Sequence, residues 1–229
     1  MLDLALSVKI AEWRAGDDTA AEADRAFRAA RAVVLARDHT TCQGCGLPSQ
    51  GAEGKSGYLE VHHRDDDHHH NDPDNLLTVC PFCHAVKHFA LAHVQDRGFF
   101  VPARGVGQRA LHRLLSVLWF EPLARAPDLA PCRQDLTDWI ARGQALMTAP
   151  PYRDLADGAA LGNRLRDLTQ SGNREALTRL QERLKTVLLV PNLAHPAYQK
   201  AARYWSDVLS PAWTDQRVAR YIAGQGDRP

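Results

Sequence analysis

Two Cys-x-x-Cys pairs, Cys42 with Cys45 and Cys80 with Cys83, constrain this chain more than any other feature. A knuckle with that spacing turns two sulfurs toward one ion, and two knuckles complete a tetrahedron with Zn–S distances of ~2.3 Å. The gap between the pairs is longer than in the shortest zinc ribbons, so residues 46–79 must insert a strand and a loop. A closed four-thiolate site of this kind is structural, and its binding free energy is largely folding free energy. Removing the ion is therefore expected to destabilise this module selectively. The fifth cysteine, Cys132, stands outside the pattern and reads as a small apolar residue.

Paired thiols of this spacing belong to a reducing compartment, where they signal metal rather than disulfide. No stretch approaches the ~18 to 20 apolar residues of a spanning helix, and the start, MLDLALSVKIAEW, lacks a basic region and a cleavage site. A cytoplasmic location without membrane insertion is the expectation. With 229 residues, 45% of them hydrophobic and 24% charged, the chain can bury a sizeable core as one large domain or two small ones. The formal net charge of +1 supplies no global field toward nucleic acid, so such binding needs a local patch or a partner. Arginine outnumbers lysine by 23 to 5, which suits planar pairing with phosphate or carboxylate but follows equally from genome composition.

The pattern along the chain is α+β. Leu2, Leu4, Leu6 and Val8 alternate as in a half-buried strand, and residues 17–19 can cap a helix to about Arg37, with Ala23, Phe27, Ala30 and Val34 as its apolar stripe. Arg25, Arg28 and Arg31 share another face, read as solvated or as a phosphate contact. This N-terminal unit, residues 1–36, precedes a His/Cys module at 37–93. Within the module, 58–63 reads as a strand, 64–74 as an aspartate-rich loop and His84 to about Ala92 as a helix. Residues 94–229 read as mainly helical: a short strand at 98–102, helices at about 106–123, 133–148, 152–169, 173–186 and 196–209, and an extended run at 186–191. The stripe Leu111, Leu114, Leu115, Leu118 and Trp119 suits either a core or a partner-gripping face. The end, residues 224–229, is expected to fray.

Seven of the eleven histidines fall in residues 61–88. His84 and His88, at i and i+4 on a helix, project from one face, the spacing that lets two imidazoles share an ion. His62 and His63 are neighbours on a strand and point to opposite faces, so one can bind metal while the other does something else. His68, His69 and His70 sit among Asp65, Asp66, Asp67, Asp72 and Asp74 and read as solvated.

The run of Cys-x-x-Cys, Glu60-Val61-His62-His63, Asp72-Pro73-Asp74-Asn75-Leu76, Cys80-x-x-Cys83-His84 and His88 resembles the zinc-containing HNH, or ββα-metal, endonuclease family over about residues 37–90. That resemblance implies a treble-clef or ββα-metal module and hydrolysis of nucleic-acid phosphodiesters. It assigns His62, His84 and His88 as ligands of a catalytic divalent transition metal, His63 as general base and Asn75 as the residue that orients the base. Cys42, Cys45, Cys80 and Cys83 would hold a structural zinc. Three imidazoles suit Zn, Ni, Co or Mn better than Mg, and a histidine deprotonates water near neutral pH. Arg64, beside the base, is a candidate phosphate contact, or a side chain that covers the strand.

A second resemblance spans nearly the whole chain, through the opening strand, Arg37-Asp38, the run Asn75 to Cys80, the helix after Phe100-Val101-Pro102, and Leu188 to Pro191 before a last helix with Trp205. In that order the chain is similar to the DotN/IcmJ family of type IVB secretion and conjugation systems. This implies a zinc-bearing adaptor, bound to a type IV coupling-protein ATPase and other secretion-complex subunits, peripheral to the inner membrane. Adaptor members of the family lack the histidine set, which this sequence retains.

Overall fold

The computed structural model describes residues 2–8, 20–49, 57–67, 69–119, 130–209 and 214–224. Helix α1 (Ala20–Arg37) buries Val34 and half-buries Phe27 and Ala30, as its apolar stripe requires; its expected capping residues 17–19 lie outside the described residues. Arg31 is not simply solvated, because its guanidinium donates to the Leu59 carbonyl at 2.9 Å. At the helix end Arg37 donates to the Pro73 and Leu76 carbonyls at 2.6 and 2.8 Å and to the Asp38 carboxylate at 2.9 Å. Burial raises the pKa of Asp38, but hydrogen bonds from Arg37 and from the Thr78 amide outweigh it and hold the carboxyl below its usual range. This clamp fixes α1 against the hairpin that follows.

The first knuckle closes through a Thr41 to Pro48 bridge and a Gly46 amide bond to the Cys42 carbonyl, with Gly46 at φ +84°, where only glycine is unstrained. Strand β1 (Glu60–His63) pairs antiparallel with β2 (Leu76–Val79), His62 opposite Leu77 and His63 opposite Leu76. The strand starts later than the sequence suggests because Tyr58, at φ +63°, still belongs to the turn. The helical stretch after β2 is broken, giving α2 (Pro81–Lys87) and α3 (Phe89–Val94), with His88 at the joint (φ −130°, ψ 45°).

Residues 2–8 explain how that break survives. They are extended, with Leu2, Leu4 and Val8 buried, but they join no ladder, so the expected opening strand is corrected to a strap. Leu2 N–H donates to Gln43 O at the knuckle. At the far end Ser7 N–H donates to Val86 O, Ser7 Oγ–H donates to Lys87 O, and Ser7 O accepts from Phe89 N–H. The strap thus satisfies the backbone groups that the break would orphan.

Beyond the module, β3 (Gly98–Pro102) pairs antiparallel with β4 (Val187–Pro191), so chain segments far apart in sequence meet. Between them run α4 (Gln108–Trp119), α5 (Ala130–Leu146), α6 (Gly158–Gln170) and α7 (Arg174–Leu184). After β4 come α8 (Pro196–Leu209) and α9 (Asp215–Ala223). Helix α9 lies beyond the expected elements, and its signals are a Thr214 N-cap, apolar Val218 and Tyr221 on one face, and Gly224 in the left-handed C-cap. Leu111, Leu115 and Leu118 are buried and Leu114 half-buried, so the α4 stripe is core and not a partner-gripping face. Cys132, by contrast, is exposed. The described chain is therefore mixed α and β, with helices predominating and two small antiparallel sheets.

Candidate metal centres and active site

Cys42, Cys45, Cys80 and Cys83 converge as a fully buried cluster, their sulfurs all within 4.8 Å of one another. The Cys45 and Cys80 sulfurs are 3.8 Å apart, the edge of a tetrahedron with ~2.3 Å Zn–S bonds. The amides of Cys80 and Cys45 donate to Cys42 Sγ at 3.1 and 3.5 Å. Burial pushes the Cys80 and Cys83 thiols well up, whereas at Cys42 hydrogen bonds from Cys45, Cys80 and Cys83 outweigh burial and bring the thiol well down. Such a cluster holds one thiolate readily and more only with a cation at its centre, and four thiolates fit zinc. The cluster is a metal-binding arrangement.

Two groups from the helical half touch it. His112 lies 3.3 Å from Cys83 Sγ through Nδ1, while its Nε2 meets the Gln108 amide at 2.9 Å. Gln108 also bonds both the N–H and the carbonyl of Leu189 on β4. Burial depresses the His112 pKa to about 4, so the ring is neutral, with Nδ1–H donating to sulfur and Nε2 accepting. Tyr221 on α9 donates its hydroxyl to Cys45 Sγ at 3.5 Å.

A second cluster gathers His62 from β1, His84 from α2 and His88 from the α2–α3 joint, with one nitrogen of each within 4.8 Å of the others. Ring centroids lie 5.4 Å (His62 to His84), 5.5 Å (His62 to His88) and 4.7 Å (His84 to His88) apart. Glu60, two residues before His62 on the same face of β1, accepts from His84 Nδ1 at 2.5 Å. That bond places the proton on Nδ1 and the lone pair on Nε2, the carboxylate–histidine arrangement that orients a metal ligand. Three imidazoles, one so oriented, form a donor set that fits a divalent transition ion.

His63 turns to the other face of β1. Its ring stacks on Phe27 of α1 (centroids 5.4 Å, planes at 25°), and its Nε2 meets Asn71 Oδ1 at 3.0 Å. With that oxygen as acceptor, Nε2 carries the proton and Nδ1 the lone pair. Asn75 has other partners: its amide donates to Asp65 Oδ1 at 2.8 Å and to His70 O at 2.9 Å. It ties together the loop that carries Asn71, a side-chain partner of His63. Arg64 is exposed and donates its backbone N–H to Asn75 O. His70 is paired rather than merely solvated, 2.6 Å from Asp65; His69 is exposed, and His68 lies outside the described residues.

The sequence pattern alone gives Glu60, Asn71, His112 and Tyr221 no role. Glu60 was legible in principle, since it lies at i−2 from His62 and so shares its face of the strand. The contacts of His112 and Tyr221 depend on long-range packing and leave no local signal.

Among the described residues no helix is long and apolar enough to cross a membrane. No curated protein matches the chain. Residues 42–90, from the first cysteine to the start of α3, match the family model described as HNH endonuclease, so both clusters sit on a segment whose likeness suggests a nuclease-type function directed at nucleic acid.

Proposed function

We propose that the protein is a metal-dependent HNH-type endonuclease hydrolysing phosphodiester bonds of nucleic acid. The carrying observation is the convergence of His62, His84 and His88 with His63 on the opposite face of the same strand, inside the HNH match. The order of knuckle, hairpin and helix supports reading residues 37–93 as a treble-clef, ββα-metal module between an N-terminal unit at 1–36 and a helical region at 94–229. Cys42, Cys45, Cys80 and Cys83 hold a structural zinc in this reading, and His62, His84 and His88 hold a second, divalent transition ion.

A divalent ion bound there supplies charge that offsets the negative charge building on the phosphate. The chain's own work falls to His63, whose Nδ1 takes a proton from water as the water oxygen bonds to phosphorus and the P–O bond to the departing sugar oxygen breaks, that oxygen taking up a proton from solvent, while Asn71 holds Nε2–H and keeps the ring in that tautomer. Asn75 acts one step back, through the loop that presents Asn71. Arg64, exposed beside the base, is free in position to meet a phosphate oxygen from solution.

Plasmid nicking with added Mg, Mn, Co, Ni or Zn tests this. His63→Ala is expected to lower cleavage by at least about a hundredfold with metal affinity nearly intact, whereas His84→Ala loses both. Wild-type protein that cuts neither DNA nor RNA under any of these ions defeats the reading.

A second reading is a non-catalytic zinc adaptor of the DotN/IcmJ kind in a type IVB secretion or conjugation apparatus. The helical region after Ala90, outside the HNH match, gives it a place for a partner. In that case both variants are silent in the nicking assay, and capture of a coupling-protein ATPase by the inactive wild type is the expected result.

A further inference from the structure

Beside the three histidines lies a cleft of about 340 Å³ whose walls come from α1, β1, α2, α3, the turn before β3, and α8. Part of its lining is apolar, from Phe27, Val61, Ala85 and Leu91, and part is the edge of the metal cluster, His84 and His88. Two further lining residues hold buried polar atoms with no partner: Arg97 Nε and the Tyr198 hydroxyl.

Several other arginines among the described residues find protein acceptors. Arg31, Arg109, Arg113 and Arg133 each donate to a backbone carbonyl, and Arg183 to Asp154. Arg97 donates its guanidinium to none of the described residues, although its backbone is pinned on both sides, N–H to Ala92 O and carbonyl to Asn192 N–H. Tyr198 stays only 1% exposed, and a phenylalanine would fill the same space without an unmet hydrogen bond. Neutral imidazoles leave a bound divalent ion its full charge, so with Arg97 the cleft carries a positive excess that Glu60 alone does not offset. The missing complement is an anion with an apolar body.

We propose that this cleft seats one unpaired nucleotide next to the bond to be cut, its phosphate gripped by Arg97 with Tyr198 as second donor and its base and sugar against Phe27 and Leu91. This rests on the endonuclease reading and deepens it. A paired duplex offers its surface as phosphate and sugar and keeps its bases stacked inside, whereas a single strand can turn a base onto an apolar wall. The seat therefore selects single-stranded or frayed nucleic acid.

The test is anisotropy with a labelled single-stranded oligodeoxynucleotide on full-length His63→Ala protein loaded with Ni2+, the fully paired duplex serving as competitor. The single strand is expected to bind about tenfold tighter than the duplex, and Arg97→Gln to lose about tenfold in affinity with unchanged metal content and melting midpoint. Arg97→Lys, which keeps the charge without the planar fork, regains part of that loss. Tyr198→Phe, which removes a hydroxyl the protein does not use, is expected to fold normally and lose about threefold, and it decides the matter if Arg97→Gln fails to fold. An Arg97→Gln protein that folds and binds like its parent overturns the proposal, as does a duplex that competes as well as the single strand. Wild type that cuts nothing yet binds single strands through Arg97 defeats the endonuclease reading and leaves the seat standing; cleavage indifferent to Arg97→Gln does the reverse.

Discussion

At Gly44 an added methyl group would meet Cys83 Sγ at 2.7 Å, Cys83 Cβ at 2.8 Å and Leu4 Cδ2 at 3.2 Å, so the knuckle and the second cysteine pair approach as closely as glycine allows. Gly44→Ala should cost about 1–3 kcal/mol by overpacking and speed zinc loss to a chelator, read by urea midpoint and a chromophoric zinc indicator. A variant as stable and as retentive as the parent would mean that the cluster tolerates wider spacing. The Asp65 and His70 pair makes a different prediction. The hydrogen bond to Asp65 raises the His70 pKa above 6.5, and hydrogen bonds from Asn75, Asp67 N–H and His70 hold Asp65 well below 3.8. His70 therefore stabilises the loop below its unfolded pKa, and this is lost as pH rises through the folded value. Asp65 stabilises it above its unfolded pKa, and this is lost as pH falls through the folded value. An NMR titration should place the His70 midpoint above 6.5, and Asp65→Asn should bring it back down. A midpoint that Asp65→Asn leaves in place would show that the pair does not form in solution.

The break between α2 and α3 is an event at the scale of elements, because the strap at residues 2–8 holds it and the break presents His88. Ser7→Pro deletes the N–H that reaches Val86 O and the hydroxyl that reaches Lys87 O. It should cost about 1–3 kcal/mol and weaken metal binding at the three histidines, with the four-cysteine site still loaded. Calorimetric titration of Ni2+ into zinc-loaded protein checks this, and unchanged affinity would separate the strap from the site. The sequence could not announce the break: His84 and His88 have the i, i+4 spacing of one helix, and the capturing serine lies far up the chain. What was legible was local. Cysteine spacing named the sulfur cluster, alternation sent His62 and His63 to opposite faces, and β3 and β4 read as extended segments. Their pairing and the burial of the α4 stripe are set by contacts between distant segments, and the hydrogen bond between His63 and Asn71 by the fold of the loop between them, none of which periodicity encodes.

For the molecule as a whole, the four-cysteine centre belongs to more than the His/Cys module. One continuous buried cluster runs from Leu2 through Cys42, Cys80 and Phe82 to Leu161, Leu184, Trp205 and Tyr221. His112 of α4 and Tyr221 of α9 reach the sulfurs directly, and the Trp205 indole donates to Gly57 O at 2.8 Å at the foot of the hairpin. Loss of the ion would leave buried thiols without their counter-charge and remove the reason for His112 and Tyr221 to dock. The expectation of a selective loss of the module therefore gives way to a shared one: chelation should lower the melting midpoint of the helical half together with that of the module. Far-ultraviolet dichroism, which reports α4 to α8, and tryptophan fluorescence should move in one coincident transition in both metal-loaded and chelated protein. His112→Leu tests the link itself. It leaves Cys83 Sγ and the Gln108 amide each short of a partner, so it should cost about 1–3 kcal/mol and hasten zinc release while the affinity of the three-histidine cluster for added Ni2+ stays unchanged. If the chelated protein instead melts in two steps, with the helical signal keeping its original midpoint, the contacts through His112 and Tyr221 carry no coupling and the module folds alone.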